Sequence, residues 1–127
     1  MKMREFLNMN PDACCEGRAE GECFATVEEW WDHTERGDFM AWVLDRTGMG
    51  DLEICKQIHI ETIPDLVEAE LSVNPSTIVD TEPDLGDYLF FFYNYSIFNL
   101  RDPKWANRIR ELMGNPFREA FRVANPL

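Results

Sequence analysis

Apolar residues return along this chain in steps of three and four, and between the groups stand residues that start or stop helices. Thr26-Val27-Glu28-Glu29 has the form of a capping box, in which a Thr hydroxyl and a Glu carboxylate satisfy N–H groups that a first turn leaves without partners. Val27, Trp30, Trp31 and Thr34 follow at helical spacing. Gly37 stands where a left-handed residue would stop this helix, and Asp38 where a side chain would cap the next. That second helix is expected to turn Phe39, Trp42, Val43 and Arg46 to one side and to close at Gly48. Asp51 opens a third, with Leu52, Cys55, Ile58 and His59 inward. Pro64 either ends it or sits in the first turn of a fourth helix, which reaches about Leu71 and buries Leu66, Val67 and Leu71.

From Val73 to Gly86 the Pro, Ser and Thr content predicts a loop, with a short extended piece at 77–79. The run Leu89 to Phe98 is ambiguous. Its odd positions are all apolar or aromatic, as in a strand, yet its helical neighbours and the cap signal at Asp84 favour a buried helix. Helix is the reading adopted. Asp102-Pro103 opens another helix, with Trp105, Ile109, Leu112 and Met113 on one face and Gly114 as its stop. Asn115-Pro116 opens a last one that aligns Phe117, Ala120, Phe121 and Ala124. Residues 1–25 are weakly periodic and hold three of the four cysteines. The expectation is an all-α bundle of six to seven short helices, with a short strand or hairpin element near 77–98 at most, in one domain over 1–127.

Composition agrees with a folded core. Hydrophobic residues make up 45% of the 127 positions and aromatics 13%, enough to bury ~65% of the unfolded chain's surface at this length. No run approaches the ~18 apolar residues that span a bilayer. Met1 to Asn10 lacks the apolar stretch of a secretory signal, so the cytoplasm is the expected compartment.

Charge changes the picture more. The formal net charge is −12, and it is segregated: residues 1–87 hold 21 acids and 6 bases, while residues 88–127 carry a net +3. Such a chain repels nucleic acid and anionic membrane and attracts basic partners. Glu28, Asp32 and Glu35 repeat at i, i+4, i+7, as do Glu61, Asp65 and Glu68 if the register survives Pro64; Glu70, Asp80, Glu82 and Asp84 extend the acidic interval. The plain reading is a solvated face that keeps a small protein in solution. The sharper one is a row of carboxylates that imitates phosphate spacing and occupies a cationic groove on a nucleic-acid-handling protein. An aromatic surface around Phe90 to Tyr95 would add a docking or homodimer patch.

Cys55 and His59 at i, i+4 form a half-site for zinc, which Cys14 or Cys15 with Cys23 could complete. Their loose spacing equally fits a buried thiol, a core histidine and surface thiols, with no cofactor. His33 beside Asp32, or Cys55 near His59, lacks the third orienting group and the oxyanion donors of acyl transfer, so no catalytic residue is assigned.

Two stretches, Trp30 to Trp42 with its core Glu35-Arg36-Gly37-Asp38-Phe39-Met40-Ala41-Trp42, and Arg110 to Arg118 with Gly114-Asn115-Pro116-Phe117-Arg118, resemble segments of small uncharacterised proteins from bacteria and their phages, which carry an Arg-Gly-Asp-aromatic segment followed by Trp. A phage setting implies an inhibitor of a host defence protein, of the anti-CRISPR kind. The tripeptide Arg36-Gly37-Asp38 is read as a helix end, a stop and a cap.

Overall fold

The fold was obtained as a computed structural model and is described for residues 1–68, 84–94 and 100–118, side chains excepted at 63–68 and 94. It is all-α over these residues, with seven helices. Contacts divide the chain into two compact units, Met1–Thr34 with Met113–Leu127, and Glu35–Leu112.

The first unit holds α1 (Met3–Met9), α2 (Cys15–Gly21) and α3 (Val27–His33). Two of these come from the stretch whose periodicity is weak. The signal in α1 is short but real, because Met3, Phe6 and Leu7 stand at i, i+3, i+4 and all three are buried. Backbone bonds from Met3 to Ala25 and from Val27 to Met1 pin the start of α1 beside the start of α3. Gly21 gives Met3 its room, since a Cβ there would lie 3.1 Å from the Met3 sulfur. Thr26 caps α3 as expected, accepting from the Glu29 N–H at 3.1 Å.

The stop of α3 is not Gly37. The helix ends at His33, because Thr34 turns to extended backbone and donates its buried hydroxyl to the Glu20 carboxylate at 2.6 Å. Trp30 and Trp31 follow one another on α3, and both are buried, at 3% and 0% exposed. Their rings meet edge to face, and Trp31 meets Phe117 in the same way.

The second unit holds α4 (Gly37–Thr47), α5 (Leu52–Glu68), α6 (Leu85–Asn94) and the length of α7 (Pro103–Met113) up to Leu112. Helix α6 packs on α4 and on α5. Gly37 is the first residue of α4 and Asp38 lies within its first turn, so neither plays the role its type suggested. Gly37 is required for another reason: its N–H donates to the Leu100 carbonyl at 2.9 Å, and a Cβ would stand 2.8 Å from that oxygen. The buried face of α4 is also rotated from the expected one. Met40, Ala41, Val43 and Leu44 are buried, whereas Phe39 and Trp42 are half-buried beneath the guanidinium groups of Arg36 and Arg46. Gly48 closes α4 in the left-handed conformation at φ 69°.

Pro64 neither ends α5 nor starts a new helix. Asp51 caps α5 through the Ile54 N–H, and the helix runs unbroken to Glu68. Pro64 deprives the Ile60 carbonyl of its donor, and Ile60 lies on the exposed side of α5, where water can serve that oxygen. The ambiguous aromatic run is helical through Asn94, with Tyr88, Leu89 and Phe92 buried on one face. Asp84 and Asp87 cap its start reciprocally, each carboxylate accepting from the other's N–H. Positions 69–83, 95–99 and 119–127, with the short extended piece at 77–79 and the end of the last helix, lie outside the described residues.

Candidate functional site

The carboxylates expected to line up on α3 do not form a row. Glu28 receives the Met1 amino group at 2.6 Å. Asp32 is clasped by the segment that follows α7: Asn115 donates its amide to Asp32 at 3.0 Å and to the Glu28 carbonyl at 2.8 Å, and Arg118 pairs with Asp32. The same Asn115 caps the following turn through the N–H groups of Phe117 and Arg118. Glu35 falls beyond the end of α3, since Thr34 has already left the helix, and it belongs to the second unit. The i, i+7 spacing therefore has no helix to carry it. The helix start expected at Asn115-Pro116 is present over 116–118, but the tie from Asn115 to α3 was not foreseen, because a side chain that caps one turn and ties another has no local signature.

The second predicted row keeps its register. Because α5 passes through Pro64, positions 61, 65 and 68 recur along one continuous helix. Glu61, however, is held by Arg108 of α7 at 2.8 and 3.0 Å and by Gln57 at 2.7 Å. The Arg108 hydrogen bonds lower its pKa from the ordinary carboxylate value. Arg108 also reaches Glu111 at 3.0 Å. Asp84 serves as the cap of α6, and Glu70, Asp80 and Glu82 lie outside the described residues. Glu5, Glu22, Glu29 and Glu35 are exposed and make no ion pair among the described residues.

The sulfur and imidazole groups are distributed differently. Cys55 is buried in the second unit, and burial, with the nearby Asp51 charge, pushes its thiol up to about 12. His59 is half-buried against the Tyr88 ring, and burial lowers its pKa. Cys15 and Cys23, with Cys14, are exposed in the first unit. Among the described residues no three His, Cys, Asp or Glu groups gather as metal ligands.

His33 stacks on Phe24 and makes its Nδ1 contact with the Glu29 carbonyl at 2.8 Å, while Asp32 is engaged by Asn115 and Arg118. The two do not form a base and its orienter. Arg36 closes on Asp38 with two hydrogen bonds of 3.0 and 2.9 Å, and Arg101 stands 3.6 Å from the same carboxylate. The Arg-Gly-Asp tripeptide is thus tied to itself, and its geometry is that of a helix start.

Comparison adds no relative. The chain matches no protein-family model, no curated protein and no solved structure. Function therefore rests on its own residues.

Proposed function

We propose that this chain is a non-enzymatic binding protein that docks on a cationic surface, and that its target is a host nucleic-acid-handling protein inhibited by occupation of its anion-binding groove. The observation that carries the reading is an excess of negative charge that internal pairing leaves in place. Residues 1–87 hold 15 more acids than bases. The ion pairs of Arg108 and Arg118 engage Glu61 and Asp32, while Glu5, Glu22, Glu29 and Glu35 stay exposed.

A groove evolved to hold phosphates already presents fixed cations, so a rigidly held carboxylate surface competes for it with little reorganisation. Positions 65 and 68, one turn apart on the continuous α5, support the idea that part of this charge is carried on a helix. The phage setting enters only through the resemblance of the Trp30 to Trp42 and Arg110 to Arg118 stretches.

The test is capture of the partner on immobilised protein at low and high salt, with nucleic acid as competitor. Binding should fall steeply as salt rises, and nucleic acid should displace it. Association indifferent to salt, or unchanged by the double reversal Asp65→Lys with Glu68→Lys, would overturn the reading.

A further inference from the structure

Cys14 and Cys15 are neighbours in sequence and both exposed. Cys14 is the N-cap of α2, its Sγ accepting from the Gly17 N–H at 3.3 Å, and Cys15 is the first residue of that helix. The two other thiols are set apart. Cys23 follows the far end of α2, ~10 Å along its axis, and Cys55 is buried. Adjacency also decides what the pair can do. Neighbouring Cα atoms across a trans peptide stand ~3.8 Å apart. A relaxed disulfide spans ~4.4–6.8 Å between its Cα atoms. A direct S–S bond between these two residues is thus strained, whereas a larger bridging atom lets both sulfurs bind without closing so tight a ring.

We infer that Cys14 and Cys15 form a chelating dithiol site for a soft, thiophilic centre of the trivalent organoarsenical class. With an organoarsenous oxide, both Sγ atoms form bonds to arsenic and the As–O bonds break. The oxygen leaves as water with the two thiol protons, and arsenic keeps its oxidation state. The second bond is intramolecular, so chelation outlasts competition from a monothiol that would strip a single S–As bond.

Phenylarsine oxide is the probe, read by intact-protein mass in excess glutathione. One equivalent is expected to remain on the wild-type chain and to leave on addition of a small dithiol. Cys14→Ser and Cys15→Ala are each expected to release it at about a hundredfold lower glutathione. Cys23→Ser and Cys55→Ser should retain it. Serine is itself a strong N-cap, so the Cys14 variant keeps α2 started, and Cys15→Ala leaves the cap untouched. Circular dichroism equal to wild type confirms folding for both. Release from the wild-type chain by glutathione alone, or retention that is lost with Cys23 and not with Cys15, overturns the assignment.

Discussion

The indole N–H of Trp31 donates to the backbone carbonyl of Gly114 at 2.7 Å, joining two residues 83 positions apart. Around this bond the Phe117 ring meets the Trp31 ring edge to face, and Asn115 ties to Glu28 and Asp32. The first unit is thus closed by a segment distant in sequence. Trp31→Phe keeps most of the apolar contact but leaves the Gly114 carbonyl without this donor. A cost of ~1–3 kcal/mol is expected. The check is the thermal midpoint, which should drop by about 4–11 °C for a chain of this length; an unchanged midpoint would show that the bond contributes nothing.

Gly37 and Gly86 should respond to alanine with opposite signs. A Cβ at Gly37 meets the Leu100 carbonyl at 2.8 Å and the Leu100 Cβ at 3.3 Å, and backbone cannot easily retreat. Gly37→Ala is expected to cost ~1–3 kcal/mol through overpacking. Gly86 sits exposed in α6, where the nearest contact for a Cβ is 3.4 Å away. Gly86→Ala should stabilise by ~0.5–1 kcal/mol, because alanine loses less backbone entropy in a helix. Urea midpoints of the two variants decide it.

These glycines also show what was legible beforehand. Helix starts were readable wherever a short polar side chain does its work within three residues, as at Thr26, Asp51, Asp84 and Asp102. Gly48 and Gly114 were readable as left-handed stops because nothing but local backbone decides them. Gly37 was misread, since its requirement comes from Leu100, which local pattern cannot see. The tilt of α4 was misread likewise: Arg36 and Arg46 cover Phe39 and Trp42, so aromatic character did not mark the inward face. The α3 carboxylate row failed for the same kind of reason, as Thr34 is drawn out of the helix by Glu20.

Stability should fall in two steps on acidification. His59 has a lowered pKa because burial disfavours its charged form. Near its ordinary value of 6.5 the unfolded chain therefore binds more protons than the folded one, and stability declines as pH falls below that point. Glu61 has a lowered pKa chiefly because Arg108 hydrogen-bonds its carboxylate. Its contribution is complete above the ordinary value of 4.5 and is lost as pH falls through the folded value. Denaturation midpoints from pH 8 to 3 should bend at both places. His59→Gln should flatten only the upper bend and Glu61→Gln only the lower.

Thiol counting should divide the cysteines three to one. Cys14, Cys15 and Cys23 are exposed, while Cys55 is buried with its thiol pushed up to about 12. A thiolate-selective reagent at neutral pH is expected to react promptly with three groups, and with the fourth only in denaturant. Prompt reaction of all four would mean that α5 opens readily around Cys55. A fourth group still silent in denaturant would mean that the sulfur is already covalently engaged.

The carboxylates can be separated into those that hold the fold and those left exposed. Asp32 is bound by Asn115 and Arg118, and Glu61 by Arg108, so these charges are spent inside their units. Asp32→Asn should lower the melting temperature while leaving the salt dependence of partner binding nearly unchanged. Glu29 and Glu35 are exposed and make no ion pair among the described residues. Glu29→Lys with Glu35→Lys should lower the melting temperature by a few degrees at most: exposed charges away from partners contribute little, and the one cost is a cation in the first turn of α3, ~0.3–1 kcal/mol against the helix dipole. The same double change should weaken binding to a cationic target and flatten its decline with salt, since fewer ionic contacts are then lost as salt rises. If the double reversal binds like wild type while Asp32→Asn abolishes binding without unfolding, the contact surface is the clasp and not the open carboxylates.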